Sequence, residues 1–91
     1  MYGVQLTSTA SEALNRLHPE IKKQIKARLK TLHDTPYAGK ALQHNLTEFR
    51  SLKIKRYRAV YQVNDMERNV TIYAISHRRE IYDIITALLP E

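Results

Sequence analysis

The apolar residues of this chain change their period in mid-sequence, and that change limits the folds open to it. Up to about residue 34 they recur at helical spacing, and from Phe49 to Ser76 they alternate, one in and one out, as in half-buried strands. Within 91 residues the two kinds of element cannot each build a core, because so short a chain has little surface to bury. They must share one. The arrangement that does so lays a helical hairpin on one face of an antiparallel sheet, an α+β domain spanning residues 1–91.

Tyr2 to Leu6 alternates loosely and predicts a short first strand. Thr9-Ala10-Ser11-Glu12 has the spacing of a capping box, with Thr9 as the cap and Glu12 reaching back. The helix that follows carries Ala10, Ala13, Leu14 and Leu17 on one side. Pro19 suits the first turn of a second helix, in which Ile21, Ile25, Leu29 and Leu32 share a face opposite Lys22, Lys23, Lys26 and Lys30. It should end near His33-Asp34, since Pro36 disfavours helix before it. Residues 35–48 read as a loop with room for a helical turn. Phe49 to Lys55, Tyr57 to Val63 and Val70 to Ser76 read as strands, with a polar hairpin connection at 64–68. Ile81, Ile84, Ile85, Leu88 and Leu89 are helically spaced and stopped by Pro90. The predicted order is β-α-α-β-β-β-α.

Composition removes several chemistries. The chain has no cysteine, hence no disulfide framework and no thiolate metal site. His18, His33, His44 and His77 are not spaced as ligand pairs and read as surface or capping residues, His77 alone standing inside a basic cluster. Neither a glycine-rich phosphate loop nor a serine elbow is present. No metal and no cofactor are therefore expected. The opening MYGVQLTSTASEAL has neither a basic start nor an apolar run, and no stretch approaches the ~20 apolar residues of a membrane span. A cytoplasmic protein without a membrane partner is expected.

Charge supplies what remains. The formal net charge is +6, and a basic surface attracts polyanions. Between Glu48 and Asp65 stand Arg50, Lys53, Lys55, Arg56 and Arg58, with no acidic residue among them; His77-Arg78-Arg79 closes the last strand. Alternation separates Lys53 and Arg58 from the apolar Leu52, Ile54, Ala59 and Tyr61. Like charges held this close repel, and the run is rich in arginine, whose planar fork suits phosphate oxygens. RNA permits phosphate chemistry without a metal because it carries its own nucleophile, the 2′-hydroxyl. A lysine crowded by arginines, an arginine on the phosphate and a tyrosine on a base would serve it, and Lys53, Arg58, Arg78 and Tyr82 offer those types.

The stretch Leu52-Lys53-Ile54-Lys55-Arg56-Tyr57-Arg58-Ala59-Val60-Tyr61-Gln62-Val63 resembles the central hairpin of the RelE/ParE toxin superfamily, and Ile75-Ser76-His77-Arg78-Arg79-Glu80-Ile81-Tyr82 its "HRxxVY" close. The RelE-type resemblance implies a toxin of a type II toxin–antitoxin pair, an endoribonuclease that cuts mRNA in the ribosomal A site to arrest translation. It implies that Arg58 stabilises the phosphate in the transition state and that Lys53 activates or stabilises the attacking oxygen. Arg78 would assist the leaving group, with Arg79 close by, and Tyr82 would stack on a messenger base. Arg50, Lys55, Arg56, His77 and Arg79 would contact ribosomal or messenger RNA. Partners implied are a cognate antitoxin, mRNA and the ribosome, with the toxin monomeric alone and in higher-order assembly with its antitoxin. Ser51 stands where such enzymes can carry a second lysine, and Lys55-Arg56 where relatives often have a glycine-bearing turn. The alternatives are a ParE-like toxin acting on gyrase, and a non-catalytic ribosome- or nucleic-acid-binding module.

Overall fold

The computed structural model describes residues 1–43 and 46–88, the last by its backbone alone. Expectations placed on His44, Leu89 and Pro90, and on the side chain of Leu88, lie outside the described residues. The elements are β1 (Gly3–Leu6), α1 (Ser8–Asn15), α2 (Pro19–Lys30), a 3-10 turn (Thr31–His33), β2 (Lys40–Ala41), β3 (Arg50–Ile54), β4 (Tyr57–Asn64), β5 (Asn69–His77) and α3 (Ile81–Leu88). The order matches expectation except for β2, a two-residue strand inside the segment read as a loop.

The five strands form one sheet in the order β1-β5-β4-β3-β2. From β2 to β5 all neighbours are antiparallel, whereas β1 joins β5 in parallel, Val4 beside Val70 and Leu6 beside Ile72. The long connection that a parallel pair requires is made here by the helical hairpin followed by β2, β3 and β4. Helix α1 begins one residue beyond β1, and its cap is Thr7 rather than Thr9: the Thr7 hydroxyl accepts from the Ala10 N–H at 3.2 Å. The strand decides this, because the Thr7 N–H is bonded to the Ile72 carbonyl at 3.0 Å and holds that residue extended where the helix starts. His18 caps α2 through Nδ1, which accepts from the Glu20 N–H at 3.2 Å.

The main core lies between hairpin and sheet. Ala10, Leu14, Ile25, Leu29 and Leu32 meet Leu52, Ile54, Ala59, Tyr61, Val70, Ile72 and Ile75. The second face of the sheet is not bare. Val60 and Ala74 on it pack with Leu42, Phe49, Ile81 and Ile85, so α3 covers part of it with a smaller core. A bulge makes this possible: Val60 pairs with Ala74 but Tyr61 with Ile72, leaving Tyr73 as the extra residue of β5. Tyr73 and Ala74 both join the second core, Tyr73 edge-on to Phe49 at 5.6 Å, while Ile75 returns to the main one.

One exposed carboxylate ties three distant segments together. Tyr2 donates to Asp65 at 2.5 Å and Tyr37 donates to the other carboxylate oxygen, linking the N-terminus, the loop after the helices and the β4–β5 turn. Hydrogen bonding to the two phenols holds the Asp65 carboxyl below its ordinary value. The same bonds raise both phenols, Tyr37 to about 12. A lowered acid stabilises the fold above its unfolded value of about 3.9, and that stabilisation disappears as pH falls through the lowered one. Raised phenols stabilise it below about 10, with the gain lost on the way to their folded values. Thermal unfolding should therefore be least pH-dependent between these limits and weaken outside them. In Asp65→Asn the midpoint should be lower at neutral pH and its alkaline fall shallower, as scanning calorimetry from pH 3 to 11 would record.

Candidate RNA-binding cleft

The end of the sheet left open by α3 carries the basic residues, and register explains their grouping. Lys53 on β3 pairs directly with Arg58 on β4, and Arg58 with Ser76 on β5. Directly opposed side chains share a face, so two cations stand side by side on the second face of the sheet. One strand step away, Lys40 on β2 pairs with Ser51, and Ser51 with Val60. Like charges opposed across a ladder destabilise it; a bound anion would remove that cost.

Lys40, Ser51, Lys53 and Arg58 line a cleft of about 810 Å³ at the β2 edge. Its wall includes Arg28, Lys40, Lys53 and Arg58, with no carboxylate among its described lining residues, and Tyr82 forms one side. Tyr82 follows the buried Ile81 on α3 and is itself 56% exposed, so its ring is available rather than packed in the core. Arg58 is half-buried, and its Nη1 donates to the carbonyls of Lys55 and Tyr57 at 3.5 and 3.1 Å. This ties one corner of the guanidinium to the β3–β4 turn and leaves other donors of the fork for an anion. The turn itself places Lys55 at φ 55°, the left-handed region that glycine adopts more cheaply. The hairpin keeps its tight two-residue turn although lysine stands there.

The remaining expected residues are placed differently. Arg78 and Arg79 are exposed on the turn between β5 and α3 and do not line the cleft; the Arg78 N–H donates to the Arg56 carbonyl at 2.8 Å. Lys55 and Arg56 are exposed at the hairpin tip. His77 lies on the opposite side, edge-on to Tyr57 at 5.8 Å, with its Nδ1 accepting from the Arg79 N–H at 3.3 Å. Arg50 braces a loop: Nε donates to the Gly39 carbonyl at 2.9 Å and Nη2 to the Tyr37 carbonyl at 3.1 Å, and the guanidinium stacks over the Tyr37 ring. Lys40 and Arg28 were not anticipated. A strand of two residues is too short to show a period, and Arg28 belongs to a helix whose lysines stand only as the face opposite its apolar stripe. Among the described residues, no three His, Cys, Asp or Glu side chains come together as a metal site, and no helix is long and apolar enough to cross a membrane.

Comparison with known proteins agrees with this architecture. Residues 4–82 match the family model described as the ParE toxin of type II toxin–antitoxin systems. A Methanocaldococcus jannaschii protein named "Putative toxin RelE4" is 28% identical over 86 residues, covering 90% of this chain and 92% of that protein. A chain of the RelBE2 toxin–antitoxin complex from Mycobacterium tuberculosis superposes with a TM-score of 0.79 at 30% identity, covering 85% of this chain and 98% of that one. The isolated Escherichia coli RelE toxin superposes with a TM-score of 0.73 at 23% identity, covering 98% and 100%.

Proposed function

Since this chain belongs to the ParE toxin family of type II toxin–antitoxin systems and has a RelE-like fold, we propose that it is the endoribonuclease kind of toxin, cutting mRNA in the ribosomal A site. The observation that carries this reading is the meeting of Lys53, Arg58 and Tyr82 in one basic cleft. In the reaction the substrate's 2′-oxygen forms a bond to phosphorus as the bond from phosphorus to the 5′-oxygen breaks, leaving a 2′,3′-cyclic phosphate and a 5′-hydroxyl. The 2′-hydroxyl gives its proton to solvent water and the 5′-oxygen takes one from it. Lys53 meets the attacking oxygen, where a cation favours that loss. Arg58 holds the equatorial phosphate oxygens, whose charge grows in the transition state. Tyr82 stacks on the neighbouring base and fixes the in-line geometry. Arg78, with Arg79 beside it, supports the departing oxygen from the turn beside the cleft, and Lys55 and Arg56 at the hairpin tip extend the RNA-facing surface; His77, packed on Tyr57, and Arg50, bonded to loop carbonyls, take no direct part. A cognate antitoxin holds the toxin in check in the cytoplasm, in keeping with the RelBE2 toxin of Mycobacterium tuberculosis, whose structure is of a toxin–antitoxin complex; we place it over the cleft, where it would block RNA.

Primer extension on messenger from induced cells, repeated with purified protein and programmed ribosomes, tests the reading. Discrete cleavage within A-site codons is expected. The match to a model named for ParE favours gyrase as the second target; intact messenger with inhibited DNA supercoiling would decide for it, and binding to ribosomes without either effect would leave a non-catalytic module.

A further inference from the structure

Lys40 is exposed, lines the cleft and shares its face with Ser51 and Lys53, yet the reaction above gives it no part. A lysine on a short edge strand commonly serves only to keep that edge from pairing with another chain. Position argues for more. Two residues along a strand and one strand across place its backbone about 8 Å from that of Lys53, and farther from Arg58. The Arg58 guanidinium is tied to carbonyls at the β3–β4 turn, away from the row that Lys40 occupies. The two cations therefore face different points of an extended anion rather than closing on one phosphate. Arg28, from α2, continues the same wall beyond the β2 edge. We infer that Lys40 binds the phosphodiester adjacent to the scissile one, so that the cleft grips at least two consecutive phosphates of a single-stranded polyribonucleotide running from Tyr82 across Arg58 toward the β2 edge. This rests on the nuclease reading above.

The test uses the full protein with ribosomes programmed by a messenger that carries one charge-neutral methylphosphonate linkage, either just 5′ or just 3′ of the cleavage point. Neutralising one of these linkages should slow wild-type cleavage by about tenfold. Lys40→Ala should slow cleavage of the unmodified messenger by a similar factor, in KM rather than kcat. Combined, the two changes should slow it no further, because they delete the same contact. Lys40→Arg should restore the rate. If wild type cleaves but Lys40→Ala is silent, or the two effects multiply, the Lys40 assignment is overturned and the nuclease reading stands. If wild type fails to cleave even the unmodified messenger, both fall.

Discussion

Arg58→Glu is expected to abolish growth arrest in cells expressing the protein without a partner, while the purified variant melts within a few degrees of wild type. The structural cost is small for a reason visible in the register. Arg58 opposes Lys53, so reversal replaces a like-charge pair by an opposite one, a gain of roughly 0.2–1 kcal/mol. Against this stands loss of the hydrogen bonds from Nη1 to the Lys55 and Tyr57 carbonyls, about 1 kcal/mol at a partly solvated site. The two nearly cancel. Catalysis has no such compensation: loss of one preorganised donor to a developing oxyanion costs about 10²–10³ in rate, and a carboxylate there also repels the phosphate. Lys53→Glu should act in the same direction. Persistent arrest by both variants would sink the proposed site, whereas arrest lost together with the melting transition would show only that the fold had failed.

That prediction uses what alternation alone made legible. Lys53 and Arg58 had to share a face once β3 and β4 paired across a two-residue turn, and the apolar Leu52, Ile54, Ala59 and Tyr61 had to share the other. The helices were legible for the same reason, since Ile25, Leu29 and Leu32 keep their spacing into the core. What escaped is what tertiary contacts choose among local equals. Thr7, Ser8 and Thr9 all offer a capping hydroxyl, and the bond from the Thr7 N–H to Ile72 on β5 selects the first. The extra residue at Tyr73 is set by packing against Phe49 and α3, contacts that no local pattern shows. In the basic run, nothing local separates Arg50, bonded to loop carbonyls, from Arg58, which faces the cleft. A strand as short as β2 has no period to read, so the β2 side of the cleft emerges only in three dimensions.

That side depends on one glycine, and Gly39→Ala is expected to be the most damaging small substitution in the chain. Gly39 is buried against β3, where an added methyl carbon would stand 2.8 Å from the Ser51 carbonyl oxygen and 2.8 Å from the Tyr61 hydroxyl. Tyr61 is fully buried in the main core, and its hydroxyl accepts the Gly39 N–H at 2.9 Å. The methyl must therefore push the loop off the sheet, breaking that bond and the one from Arg50 to the Gly39 carbonyl. Overpacking and a buried polar group left unpaired together cost about 3 kcal/mol, which in a domain of this size lowers the melting temperature by roughly 12–24 °C. Tyr61→Phe separates the two contributions. Alone it orphans the Gly39 N–H and costs about 1–3 kcal/mol. Added to Gly39→Ala it removes one of the two clashes but not that with the Ser51 carbonyl, which belongs to the β3 backbone and cannot rotate away. The double variant should therefore remain well below Tyr61→Phe in stability, and since the displaced loop carries Lys40, it should also be impaired in RNA binding at temperatures where it is still folded. A melting temperature for Gly39→Ala close to that of wild type would mean that the loop does not sit on β3 as tightly as its contacts with Ser51 and Tyr61 require.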